Sequence, residues 1–206
     1  MRLAACLLVC LCAALAPAPA SPLGGISQAQ AAPKAGKARA QKRFYFQILQ
    51  VTSKASLTPE LEKLILPRLT SEVNKQLAAH PRFVVELPGA PDPRADGPAY
   101  RKFLARRGLA GAYLVSVELT SASEEVEQLE DRGQRLVVRL SVHLFGETIP
   151  GQTMGFTGDG SSSIRQEIGK KLRTRDQEFT WQSAVELAVG DAIETSLTKL
   201  SAPAKK

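Results

Sequence analysis

Every cysteine of the chain sits at its extreme start, at Cys6, Cys10 and Cys12, and none follows. Whatever folds after residue 12 is therefore held by buried apolar surface and hydrogen bonds, with no disulfide, thiolate nucleophile or cysteine metal ligand to draw on. The three cysteines lie inside an apolar run, Leu3 to Leu15, behind the charge of Arg2. A charged start, an apolar stretch and small residues beyond it form the layout of a secretory leader. The run is shorter than the ~20 apolar residues that span a bilayer. Cleavage is expected after Ala18-Pro19-Ala20, with Ala29-Gln30-Ala31 as the second site, so residues 1–20 read as the signal peptide. Leu3-Ala4-Ala5-Cys6 resembles a lipobox but comes too early, because no apolar segment precedes it. The expected location is outside the cytoplasm, in the periplasm or extracellular space of a bacterial envelope. A secreted eukaryotic domain of this size more often carries disulfides.

The formal charge of +7 raises the question of a polyanionic partner. Eight of the 27 basic residues lie outside 44–200, whereas all 20 acidic residues lie within it, so the basicity belongs to the ends. Residues 21–43 are rich in Ala, Pro, Gly and Lys and read as a flexible basic linker. Lys34, Lys37, Arg39, Lys42 and Arg43 are its candidate contacts to phosphates or anionic lipid. Residues 201–206 read as a polar tail. The span 44–200 fits a single domain.

Phe44 to Val51 is aromatic and β-branched, and apolar on both faces, which predicts a central strand covered on both sides. Thr58-Pro59-Glu60 opens a helix with an N-cap, a proline at the first helical position and an early acid. Leu61, Leu64, Ile65, Leu69, Val73 and Leu77 form its apolar stripe, and Pro67 is expected to kink or divide it. Phe83 to Leu87 is a second strand, and Pro88 to Pro98 a loop. Ala99 to Arg107 is a short helix stopped by Gly108. Ala112 to Thr120 alternates, with Tyr113, Val115, Val117 and Leu119 on one face. Arg135 to Phe145 alternates more cleanly, with Leu136, Val138, Leu140, Val142 and Leu144 inward. Between them Glu124 to Gly133 is either a long hairpin arm or an acidic loop. Gln152 to Thr157 makes a fifth strand, and Gly158 to Ser163 reads as a loop. Ile164 to Leu172 is expected to form one or two helical turns. Thr174 with Gln177 gives a capping-box signature before a final alanine-rich helix through Leu200. The predicted class is α/β (α+β): one mixed five-stranded sheet flanked by helices, in the order β-α-β-α-β-β-β-α.

Three stretches and the last helix carry a resemblance: Leu77 to Glu86, Gly108 to Val115, and Val138 to Phe145. With these the chain resembles the periplasmic α/β domain shared by the curli secretion lipoprotein CsgG, the penicillin-binding-protein activator LpoB and the TolB N-terminal domain, over most of 44–200. The resemblance implies the fold and a habit of binding envelope proteins. It implies no pore, lipid anchor or propeller, because the hairpins, acylated cysteine and repeats those require are missing from the pattern.

No motif promises catalysis. His80 sits beside Pro81 at a helix end, where it serves terminal carbonyls, and His143 lies on the outward face of a strand. Ser161 to Ser163, Asp159 and His143 can be written as a hydrolase set, yet there is no G-x-S-x-G elbow and no P-loop lysine. The acidic run lacks the alternating ligands and central glycine of a calcium loop. The expected protein is not an enzyme and holds no cofactor or metal. It is a protein-interaction or assembly accessory domain whose partner is an envelope protein and not a specific nucleic-acid sequence. The expected contact surface is a sheet edge or the acidic arm at 121–134, where Glu124, Glu125, Glu127, Glu130 and Asp131 are the candidate contacts. The alternatives are a polyanion or membrane-surface binder acting through 34–43 and, further off, a Ser/His hydrolase.

Overall fold

A computed structural model describes residues 41–130 and 133–202. The leader, Lys34, Lys37, Arg39 and Asp131 lie outside the described residues. The elements are β1 (Arg43–Ser53), α1 (Pro59–Ala79), β2 (Phe83–Val84), α2 (Gly97–Arg106), β3 (Leu109–Gln128), β4 (Gln134–Thr148), β5 (Met154–Ile168) and α3 (Thr174–Ser201). They build one five-stranded sheet in the order β2-β1-β3-β4-β5. Strand β1 pairs parallel with β2 and β3, while β3–β4 and β4–β5 are antiparallel. The fold class and element order expected from the sequence are those observed.

Helices α1 and α3 cover one face, here the inner face. The strands supply Phe44, Phe46, Val115, Val117, Leu119 and the alternate residues Leu136 to Leu144 of β4 to that core. Trp181, Ala184, Ala188 and Ala192 of α3 and Ile65, Leu69, Val73 and Leu77 of α1 close it. Helix α2 packs Tyr100 and Leu104 on the opposite, outer face against Tyr45, Leu109 and Ala112. Helical cover on the outer face is thus local to α2, while Val137 of β4 is buried on that face away from it. The sequence pattern for β1 implied cover on both faces over much of its length, but after a register shift between Ile48 and Gln50, Leu49 is 57% exposed.

Pro67 does not divide α1, which runs unbroken from Pro59 to Ala79. The proline ring lies on the exposed side, and nearby carbonyls find side-chain donors: Arg68 Nη1 reaches Leu64 O at 2.8 Å and Thr70 Oγ1 reaches Leu66 O at 2.9 Å. The buried stripe on both sides of Pro67 holds the helix together at the cost of a missing backbone donor. Strand β2 stops at Val84, because beyond it Val85 is exposed and unpaired with β1. Gly108 ends α2 with φ +69°, the left-handed conformation that glycine adopts most easily.

The largest departure concerns 158–172. Gly158 to Ser163 is not a loop and Ile164 to Ile168 is not helical; both lie within β5. Composition misleads here because the glycines answer to packing and not to a turn. A Cβ on Gly158 would collide with Ser196 Oγ and Ala192 O, and one on Gly160 with Ala188 O. The backbone of α3 rests directly on the strand, so these positions have no room for a side chain. Gly146 is similarly roofed by the Phe156 ring.

Candidate functional site

Strand β3 is long enough to settle the open choice at 124–130: the acidic run is an arm of the hairpin and not a loop. Its carboxylates are largely engaged. Glu124 points to the inner side and accepts from Trp181 Nε1 at 2.6 Å and from Gln177 Nε2 at 2.8 Å. Gln177 therefore bonds across to the arm, and α3 begins at Thr174 with Arg173 as an N-cap that makes no side-chain bond. That replaces the capping box expected there. Glu125 pairs with Arg139 at 2.8 Å and Glu127 with Arg135 at 3.9 Å, each across the β3–β4 ladder. Cross-strand pairs of opposite charge stabilise a sheet modestly, and they leave the arm electrically mixed. Glu130 sits at its exposed tip.

The unengaged feature at this end of the sheet is the edge of β5. Strand β5 pairs with β4 from Met154 to Ile168, and among the described residues nothing pairs with its other side. At one end that side is closed by side chains: Asp191 Oδ2 accepts from Ser161 N–H at 3.1 Å, and Lys199 Nζ donates to Thr157 Oγ1 at 2.9 Å. Ser161 N–H thus points away from β4. By the two-residue period of a strand, so do the N–H groups of Ser163, Arg165 and Glu167. All three residues are exposed. Three residues of open edge next to a capped stretch form a template for one more strand.

The hydrolase set comes together only in part. His143 Nδ1 lies 2.6 Å from Asp159 Oδ1 across the β4–β5 pair. On the other side the register places Glu118, which is itself paired with Lys54 at 2.8 Å. Ser161 lies further along the same ladder, opposite Ser141, and Ser162 Oγ is tied to Ala184 O on the inner side. The His–Asp pair stands on the open outer face, with the Asp159 side chain 72% exposed. Water there screens the charge that a buried orienting acid would exert. Neither His143 nor Asp159 lines the cavities described here. One of about 220 Å³ is lined by Gln47, Arg94, Leu114, Ile149 and Pro150 among others, and no histidine, serine or cysteine lines it. Burial and the nearby Tyr45 phenol push Tyr100 up to about 12 from 10.0, which keeps it a neutral packing residue. His80 caps α1, its Nδ1 accepting from Arg82 N–H at 3.2 Å and its ring lying against Phe83.

Among the described residues no group of three or more His, Cys, Asp or Glu is placed to hold a metal ion, and no buried side-chain N or O lacks a partner. No helix there is long and apolar enough to cross a membrane. Lys42 and Arg43, the described part of the basic linker, are exposed where β1 begins. Sequence reasoning missed the interior polar groups Ser116 of β3, Thr180 and Ser196 of α3, and Glu72 of α1. Glu72, 3% exposed, is satisfied by Lys75, Gln76 and Gln182 and ties α1 to α3. An acid on a stripe next to Val73 was the available signal.

No known protein family matches the chain, and no curated protein does. Solved structures similar to it include a neuraminyllactose-binding hemagglutinin homologue from Helicobacter pylori, at 13% identity and a TM-score of 0.41 over 82% of this chain and 89% of that one. Rare lipoprotein B from Shewanella oneidensis is 13% identical, with a TM-score of 0.34 over 73% and 95% of the two chains. A minor lipoprotein from Acinetobacter baumannii is 10% identical, with a TM-score of 0.32 over 79% and 98%. The resemblance drawn from the sequence gains only this coarser counterpart, and CsgG and TolB gain no support from it. Likenesses this distant carry no function to the chain, whose structural neighbours are bacterial lipoproteins at low identity.

Proposed function

We propose that the chain is an exported, non-catalytic accessory domain of a bacterial cell envelope, and that it binds an envelope protein by adding a strand from that partner to β5 at Ser163–Glu167. The observation that carries this is the change along one edge: side chains of α3 close it at Thr157 and Ser161, and it opens from Ser163 onward. The leader-like start supports export. The position of the His143–Asp159 pair on an open sheet face, with the Asp159 side chain 72% exposed, supports a non-catalytic reading. Of the two surfaces expected from the sequence, a sheet edge and the acidic arm, this reading takes the edge, at the backbone of β5.

Arg165→Pro tests the reading. Proline at this position removes an N–H that faces away from β4, so the existing ladder loses nothing and stability is expected to change by less than about 1 kcal/mol. A cysteine at Ser163, the first introduced thiol beyond the leader, is expected to cross-link to one dominant envelope protein in intact cells. That adduct disappears when Arg165→Pro is added. An adduct that survives the proline, or none at all, contradicts strand addition at this edge. Removing residues 121–134 outright is a poor test, because it strips Glu124 from Trp181 and uncovers Leu136 and Val138, both fully buried.

A further inference from the structure

We propose that the exposed face of α2 is a docking surface for an anionic lipid bilayer. The helix sequence Gly97 to Arg106 buries Tyr100 and Leu104 against the sheet and turns Arg101, Lys102 and Arg106 outward, with no acidic residue in the helix. Arg107 follows it, and shares with Arg43 a cleft at the start of β1 in which the two cations outnumber the single acid, Glu86. The ion pairs of the described residues lie elsewhere, on α1, α3, and the β1 end and strands β3–β5. None involves Arg43, Arg94, Arg101, Lys102, Arg106 or Arg107. The two acids just before α2 are occupied with backbone donors: Asp96 accepts from Ala99 N–H and Asp92 from Arg94 N–H, each at 2.8 Å. Lys102 and Arg106 are moreover one helical turn apart, a like-charge spacing that destabilises a helix when nothing answers it. An external anionic surface answers it.

The chemistry of the helix selects a bilayer over a nucleic acid. Base and phosphate readers combine cations with amide or hydroxyl side chains, or with aromatics exposed for stacking. Beside its cations, the outward face of α2 exposes only Pro98 and Ala105. Its single hydroxyl, on Tyr100, is buried, and Phe103 is half-buried under the Arg107 guanidinium at 5.3 Å. Cations on a plain, small apolar background suit a diffuse, planar negative charge, which needs no directional hydrogen bonds. This takes the polyanion reading of Lys34–Arg43 and places its centre on the folded domain. It stands apart from the strand-edge reading, since α2 lies at the opposite end of β3 from the arm.

The test is co-sedimentation of the chain without its leader, residues 21–206, with vesicles of phosphatidylcholine alone and of phosphatidylcholine with about one-third phosphatidylglycerol. Binding is expected only to the anionic vesicles, and to fall at least tenfold when salt rises from about 50 to about 300 mM. The triple variant Arg101→Gln/Lys102→Gln/Arg106→Gln, at exposed positions, is expected to bind about a hundredfold more weakly with an unchanged melting temperature. Lys34→Gln/Lys37→Gln/Arg39→Gln is expected to weaken binding less than the α2 triple. The proposal is overturned if the α2 triple binds like the parent, if neutral vesicles bind equally well, or if a duplex oligonucleotide of equal charge concentration binds more tightly than the vesicles.

Discussion

Gly160→Ala is expected to lower stability by about 3 kcal/mol or more, the upper end of what overpacking costs. The added carbon would lie 2.5 Å from Ala192 N and 2.9 Å from Ala192 Cβ, and closer still to Ala188 O. Two of these are backbone atoms of α3, so no rotamer change relieves the contact. The helix must lift from the sheet, which loosens Trp181, Ala184 and Ala188 together. For a domain of this size that corresponds to a fall in melting temperature of about 10 °C. Gly169→Ala is the matched control: a Cβ there meets nothing within 4 Å, and the change should stay within about 0.5 kcal/mol. Thermal melts of the two variants side by side check the claim, and equal melting temperatures would show that α3 does not rest on β5 as described.

Trp181→Ala is expected to cost about 3–5 kcal/mol, as for other large aromatic truncations in a core. Trp181 is fully buried and is the chain's sole tryptophan, so its own emission reports whether α3 is docked in the parent. The loss has two parts that can be separated. Trp181→Phe keeps most of the apolar volume but removes the Nε1–H donor to Glu124, at a cost of about 1–3 kcal/mol for a bond to a charged acceptor. In a double-mutant cycle of Trp181→Phe with Glu124→Ala, a coupling of about 1–2 kcal/mol is expected, because the two groups touch. Urea denaturation of the four proteins measures it. A coupling near zero would mean that the arm and α3 are merely adjacent, and that Glu124 is available to a partner after all.

The legible parts of this sequence are those whose pattern is set by one face of one element. The β4 alternation from Leu136 to Leu144 and the α1 stripe from Ile65 to Leu77 are buried as their periods require, and Thr58, Pro59 and Gly108 mark helix ends for local backbone reasons. The illegible parts depend on two elements at once. Gly158 and Gly160 look like a turn until α3 is laid across them; the alanines of α3 announce a close-packing surface, but nothing local marks its complement on β5. Glu124 looks like one member of an acidic run until Trp181 is brought to it from 57 positions away. The same holds for the site. Charges on the arm can be named from the sequence, whereas the free edge of β5 cannot, because it is defined by what fails to pair with it. The unpaired cations of α2 are hidden in the same way, since opposite charges nearby in sequence are engaged with backbone N–H groups.

Residue-resolved amide hydrogen exchange along β5 tests the central claim most directly. In the isolated chain, Ser161, Ile164 and Gln166 are expected to exchange slowly, the first held by Asp191 and the others by β4, while Ser163, Arg165 and Glu167 exchange fast. In the complex with the envelope protein captured at position 163, those three become slow and the rest of β5 is unchanged. Slow exchange of Ser163, Arg165 and Glu167 in the free monomer, or fast exchange of all three in the complex, would contradict strand pairing at this edge.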